Sequence, residues 1–132
     1  LADTIGVGVP SQVRKRIELV RRLDASVPLR FHFHDTRNTG VANALAAVDA
    51  GVTTLDASIA GVGGCPFAPE ATGNVAIEDL VYALQRSGYT TNIDLDRSIQ
   101  TARWLVDRLG SHPSGAVYRA GDFGSGTAEQ NE

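Results

Sequence analysis

Two stretches in which large apolar and polar residues alternate, LRFHFH at 29–34 and TTLDASI at 53–59, flank an alanine-rich run. A period of two is the mark of a β-strand, and the intervening run repeats Val41, Leu45 and Val48 at the spacing of a helix. A strand, a helix and a second strand in so short a length cannot be a hairpin. The arrangement predicts parallel strands joined by a crossover helix, and hence an α/β fold.

The rest of the chain continues the alternation. Ser11, after Pro10, is a candidate N-cap for a helix carrying Val13, Ile17 and Val20 and running to about Asp24. Thr39 or Gly40 opens the alanine-rich helix and Gly51 ends it. The segment GVGGCPFAPEATGN, residues 61–74, reads as a long loop, and loops this rich in Gly and Pro often carry function. Ile77, Leu80, Val81 and Leu84 mark a further helix up to Gly88. A last one, with Leu95, Ile99, Ala102, Val106 and Leu109 inward, begins near Asp94 and stops at Gly110. Residues 1–112 form the expected folded unit, and 113–132 read as a disordered tail.

Parallel strands can build a doubly wound sheet or part of a (β/α)8 barrel. In a barrel the outward face of each strand packs on helices while polar groups gather inside and at the mouth, which suits Phe31 and Phe33 outward with His32 and His34 inward. A whole barrel takes about 250 residues. The 132 residues here, with three strands, amount to about half of one.

Composition removes other classes. Twelve basic against 15 acidic residues give a net charge of −3 with no basic block, so a nucleic-acid partner is not expected. No run of about 18 apolar residues predicts a membrane span. LADTIGVGVP lacks the basic start of a signal peptide, so the expected compartment is cytoplasmic. That opening also reads like the end of a strand, which suggests a start inside a larger gene product. One cysteine rules out an internal disulfide.

Two histidines two apart on a strand project to the same side, about 6 to 7 Å apart at the backbone, so both imidazoles can converge on one ion. Hydrogen-bonded rings with no ligand remain the alternative, since H-x-H is short and common. Asp35 and Asp56 can orient ring N–H groups, or Asp35 can cap the next helix. The oxygen of Asn74 can cap the following helix, the commoner role, or ligate a cation. Cys65, between Gly64 and Pro66, is either an inert small hydrophobe or a thiol that delivers a proton when its loop closes. The GVGG run matches neither a dinucleotide fingerprint nor a phosphate loop.

Several stretches together resemble the 3-hydroxy-3-methylglutaryl-CoA lyase family of metal-dependent TIM-barrel lyases and carboxyltransferases. They are DTIGVG at 3–8, HFHDT at 32–36, AN at 42–43, and GVGGCPFAP with ATGNVAIEDLVY across 61–82. The resemblance covers about Ala2 to Leu109 and implies the C-terminal half of the barrel. It implies a divalent cation, Mg²⁺ or Mn²⁺, held by His32, His34, Asn74 and an aspartate from an Arg-Asp-Gly motif that this chain does not contain. It further implies an acyl-CoA substrate cleaved to acetyl-CoA and acetoacetate, as in leucine degradation, and a homodimer when full length. Cys65, His32 and Asp3 match positions with acid–base roles, and Glu78 matches an acidic position of structural or catalytic use. Where many lyases have an aromatic-Gly-Gln run after HDT, this chain has Arg37, Asn38 and Thr39, a departure that predicts a different acyl group, with a longer 3-hydroxyglutaryl substrate as the alternative. A related acetyl-CoA-condensing synthase and an inactive half-barrel are the competing readings.

Overall fold

The computed structural model describes residues 1–65 and 68–124, with the backbone alone for 64, 65 and 68–72. Three strands, β1 (Ala2–Asp3), β2 (Arg30–Phe33) and β3 (Thr54–Asp56), pair in parallel and in chain order. The register sets Ala2 opposite His32 and Asp3 opposite Phe33; on the other side, Phe31 stands opposite Leu55 and His32 opposite Asp56. Helix α1 (Pro10–Leu23) makes the first crossover and α2 (Gly40–Asp49) the second. Both lie on the phenylalanine face. Phe31 and Phe33 are each 3% exposed, stack at 5.2 Å, and pack with Val13, Ile17, Ala44 and Ala47 from the two helices.

The helix ends depart from expectation in instructive ways. α1 is capped by the extended Val9 and not by Ser11, which lies inside the helix. Pro10 takes the first helical position, where its missing N–H costs nothing, and Gln12 Oε1 accepts from the Val9 N–H at 3.4 Å. In α2 the fully buried residues are Asn43, Ala44 and Ala47, while Val41, Leu45 and Val48 are half-buried beside them. Small side chains let this helix lie close to β2. Asn74 does not cap α3 (Ile77–Arg86): the cap position is Ala76, with no side-chain bond. α4 (Leu95–Leu109) is bounded as expected, with Asp94 accepting from the Arg97 N–H at 3.0 Å and Gly110 at φ +59° closing it.

Two segments read as irregular have structure. A single turn of 3-10 helix, Ile59–Gly61, leads into the Gly-rich run, which holds an antiparallel hairpin, β4 (Gly64–Cys65) with β5 (Ala68–Thr72). Beyond residue 112, where a tail was expected, α5 (Val117–Ala120) packs back on the body. Asp79 accepts from the Ala116 and Val117 N–H groups at 2.9 and 2.6 Å, Arg103 Nε donates to the Tyr118 carbonyl at 2.7 Å, and Tyr118 is buried. Composition could not show these tertiary partners. Residues 125–132 of the expected tail lie outside the described residues.

The outer edge of β1 has no strand partner among the described residues, so the sheet is an open arc. No described helix is long and apolar enough to cross a membrane.

Candidate metal centre

Arg30, His32 and His34 follow one another along the face of β2 opposite the phenylalanines. The two imidazoles meet edge to face, centroids 5.0 Å apart and planes at 87°. His34 is 6% exposed, and its Nδ1 lies 2.9 Å from the Asp3 main-chain oxygen. A carbonyl can only accept, so Nδ1 carries the hydrogen, and of the two neutral tautomers the contact selects the one with its lone pair on Nε2. Pairing of β1 with β2 thus fixes the tautomer that a metal ligand needs.

Asn74 arrives from the far end of the hairpin. Asp35 N–H donates to the Gly73 oxygen at 3.0 Å and Val75 N–H to the Phe33 oxygen at 3.3 Å, which sets Asn74 opposite His34 in an antiparallel bridge. Ser58 N–H to the Val75 oxygen (3.0 Å) and Ile77 N–H to the Ser58 oxygen (2.8 Å) tie the same segment to the chain beyond β3. The Asn74 amide nitrogen donates to the Val62 oxygen at 3.0 Å, so Oδ1 points away from Val62. Gly63, at φ +114°, permits this approach, since a Cβ there would stand 2.6 Å from Asn74 Nδ2.

Two imidazole nitrogens and an amide oxygen are a donor set that divalent cations accept, and the fixed His34 tautomer fits such a group. The set is partial: no group of three or more His, Cys, Asp or Glu converges among the described residues. Cys65 belongs to β4 by its backbone, and its thiol lies outside the described side chains.

The acidic residues divide their labour. Asp3 accepts from the Val7 N–H at 3.1 Å and the Gly8 N–H at 2.9 Å, closing the turn after β1. Asp35 accepts from the Gly40 N–H at 2.6 Å, the helix-end role, and burial raises its carboxyl pKa. Asp56 pairs with Arg30 and sits 3.9 Å from His32 Nδ1. Arg30 was not singled out from the sequence, although it lies on the polar face of β2, diagonally across the strand pair from Asp56. Glu78 is fully buried: Oε2 accepts from the Ala60 N–H at 3.1 Å, Oε1 has no hydrogen-bond partner, and burial raises its pKa. Arg37, at the point of departure from the usual lyase run, donates to the Ile5 and Gly6 oxygens at 3.0 and 3.1 Å and so braces the turn after β1.

Known proteins share this chain's sequence and shape. A family model described as HMGL-like matches residues 1–105. The (R)-citramalyl-CoA lyase of Chloroflexus aurantiacus is 45% identical over 121 residues, 92% of this chain and 38% of that protein. The hydroxymethylglutaryl-CoA lyase of Pseudomonas mevalonii is 45% identical over 111 residues, 84% of this chain and 37% of that protein. A solved HMG-CoA lyase from Acinetobacter baumannii, in complex with coenzyme A and 3-methylmalate, superposes with a TM-score of 0.88 at 43% identity, over 94% of this chain and 41% of that one. The chain therefore spans about two fifths of the relatives it matches, whose lyase folds are TIM barrels. A match over residues 1–105 places this chain in the HMGL-like family.

Proposed function

We propose that this chain is the C-terminal portion of a (β/α)8 lyase that cleaves 3-hydroxy-3-methylglutaryl-CoA to acetyl-CoA and acetoacetate. The observation that carries the reading is the His34 ring, held by the Asp3 carbonyl with Nε2 left open, edge to face with His32 and in register with Asn74.

His32, His34 and Asn74 would hold Mg²⁺ or Mn²⁺ together with a carboxylate from the rest of the barrel. When bound, such an ion lowers the pKa of a substrate hydroxyl and steadies developing negative charge. His32, whose side chain is 37% exposed against the buried His34, would stand beside the substrate hydroxyl and orient it through the ion; with its lone pair on the ion, the hydroxyl proton would pass to a base supplied by the rest of the barrel. Breaking the carbon–carbon bond leaves its electron pair on the α-carbon of the thioester, and the Cys65 thiol returns a proton there. Asp3 acts by shaping the turn through Val7 and Gly8. A homodimeric assembly and a cytoplasmic location, with a role in leucine degradation, complete the proposal.

A second substrate, a citramalyl-CoA ester, is favoured by the 45% identity to the Chloroflexus relative. The cleavage chemistry would be the same.

The test joins this chain to an N-terminal half bearing Arg-Asp-Gly and follows both esters with Mg²⁺ or Mn²⁺. Acetoacetate release is expected, with Cys65→Ala lowering turnover by about two to four orders of magnitude while Mn²⁺ still binds. Consumption of acetyl-CoA with a 2-oxo acid, and no cleavage, would establish the synthase reading instead.

A further inference from the structure

We infer that Asp56 is a positioning residue for His32, and that Arg30 is the clamp that holds Asp56 in place; the inference rests on the metal-centre reading above. Asp56 Oδ1 accepts from Arg30 Nε at 2.6 Å and is also met by a second guanidinium nitrogen, so one carboxylate oxygen takes both contacts. That leaves Oδ2 for the ring, and Oδ2 stands 3.9 Å from His32 Nδ1. The separation is an ion-pair distance and not a direct hydrogen bond. It places an anionic acceptor on the Nδ1 side of His32, where a small ring rotation or one water closes the gap.

The sheet register produces the arrangement. His32 lies directly opposite Asp56 across the β2–β3 pair, and Arg30, two residues earlier on the same face, reaches the same carboxylate. Facing side chains in a parallel pair are close enough to interact, and a carboxylate behind an imidazole selects the tautomer with hydrogen on the near nitrogen. His34 has its Nδ1 hydrogen fixed by a main-chain carbonyl, while His32 has Asp56 for that purpose. Both rings then turn Nε2 away from their anchors. Neither the Arg30 guanidinium nor the Asp56 carboxylate has another hydrogen-bonding or ionic partner among the described residues, so the two side chains are devoted to this face of the sheet.

The experiment reads the ring nitrogens directly. ¹⁵N shifts of the histidine side chains are recorded on the metal-free protein and on Asp56→Asn, above about pH 8, where an unperturbed imidazole is neutral. The native His32 is expected as the Nδ1–H form, and in Asp56→Asn as a mixture of both tautomers. His34, anchored by the Asp3 carbonyl, should not change and reports that the fold is intact. Mn²⁺ affinity measured by electron paramagnetic resonance should fall about 10- to 100-fold in the same variant. An unchanged His32 tautomer in Asp56→Asn overturns the inference. If Asp56→Asn does not fold, Arg30→Met decides: it keeps the carboxylate but frees it, and His32 should shift part of the way to the mixture, whereas an unaltered ring overturns the clamp. Failure of Mn²⁺ to bind the native protein would count against the metal centre alone, because the tautomer measurement needs no metal.

Discussion

Glu78 and Gly63 show how single residues shape the site without touching a substrate. A fully buried carboxyl with one oxygen on the Ala60 N–H and the other unpartnered favours its neutral form, so burial raises its pKa above the ordinary 4.5. Between those two values the folded protein keeps a proton that the unfolded chain releases. Stability from this group is therefore fully present below pH 4.5 and is lost as pH rises through the raised folded pKa. In urea titrations between pH 4 and 8, Glu78→Gln should remove that decline, and parallel native and variant curves would show that Glu78 carries no such linkage. Gly63→Ala addresses the metal centre. The added Cβ at φ +114° meets Asn74 Nδ2 at 2.6 Å, so the amide must move. Mn²⁺ binding to the variant should weaken about tenfold, with a stability loss of about 1–3 kcal/mol by chemical denaturation. Undiminished affinity would remove Asn74 from the ligand set. The His-x-His pair was legible in the sequence because a period of two fixes which side chains share a face. The left-handed backbone of Gly63 was not, since nothing local to that glycine distinguishes it from its neighbours.

Elements with their own periodicity were legible as well: α1, α2, α3, α4 and the strands β2 and β3 stand where apolar spacing put them, to within a turn. The hairpin and α5 were missed. Neither carries a clear apolar period: the hairpin pairs Gly64 with Thr72 inside a run of Gly and Pro, and the segment after Pro113 is rich in Gly and Ser and is ordered by distant partners. α5 exists because Asp79, in the first turn of α3, accepts from Ala116 and Val117, while Gly115 N–H donates to the Ala60 oxygen at 3.1 Å. Gly115 is required there, since a Cβ would lie 2.8 Å from Glu78 Oε1. Asp79→Ala leaves two helix-end N–H groups without their acceptor and should cost about 0.5–2 kcal/mol. Hydrogen exchange would show the loss as faster exchange at Ala116 and Val117, with protection in β2 retained. Equal exchange in both proteins would mean that Tyr118 burial alone holds the strap.

At the scale of the whole molecule the open arc governs behaviour. A barrel has no free strand edges, but here β1 presents an edge with no strand partner among the described residues, flanked by Leu1, Ile5 and Val7, each about half exposed. Beside them lies a cleft of about 300 Å³ lined by Val7, Val13, Phe31 and Phe33, which reaches the core from outside. Apolar surface next to free strand edges favours association, so the isolated chain should self-associate at micromolar concentrations in sedimentation velocity. Placing a charge there acts against edge pairing without entering the core, because Val7 is 51% exposed. Val7→Lys should therefore shift the chain toward monomer while leaving its circular dichroism unchanged, and supplying the preceding half of the barrel should suppress association in the native sequence to a similar degree. A native chain that sediments as a monomer would mean that the β1 edge is protected without a partner. The variant separates edge pairing from contacts elsewhere, such as the exposed Trp104 and Phe123, since those residues remain unaltered.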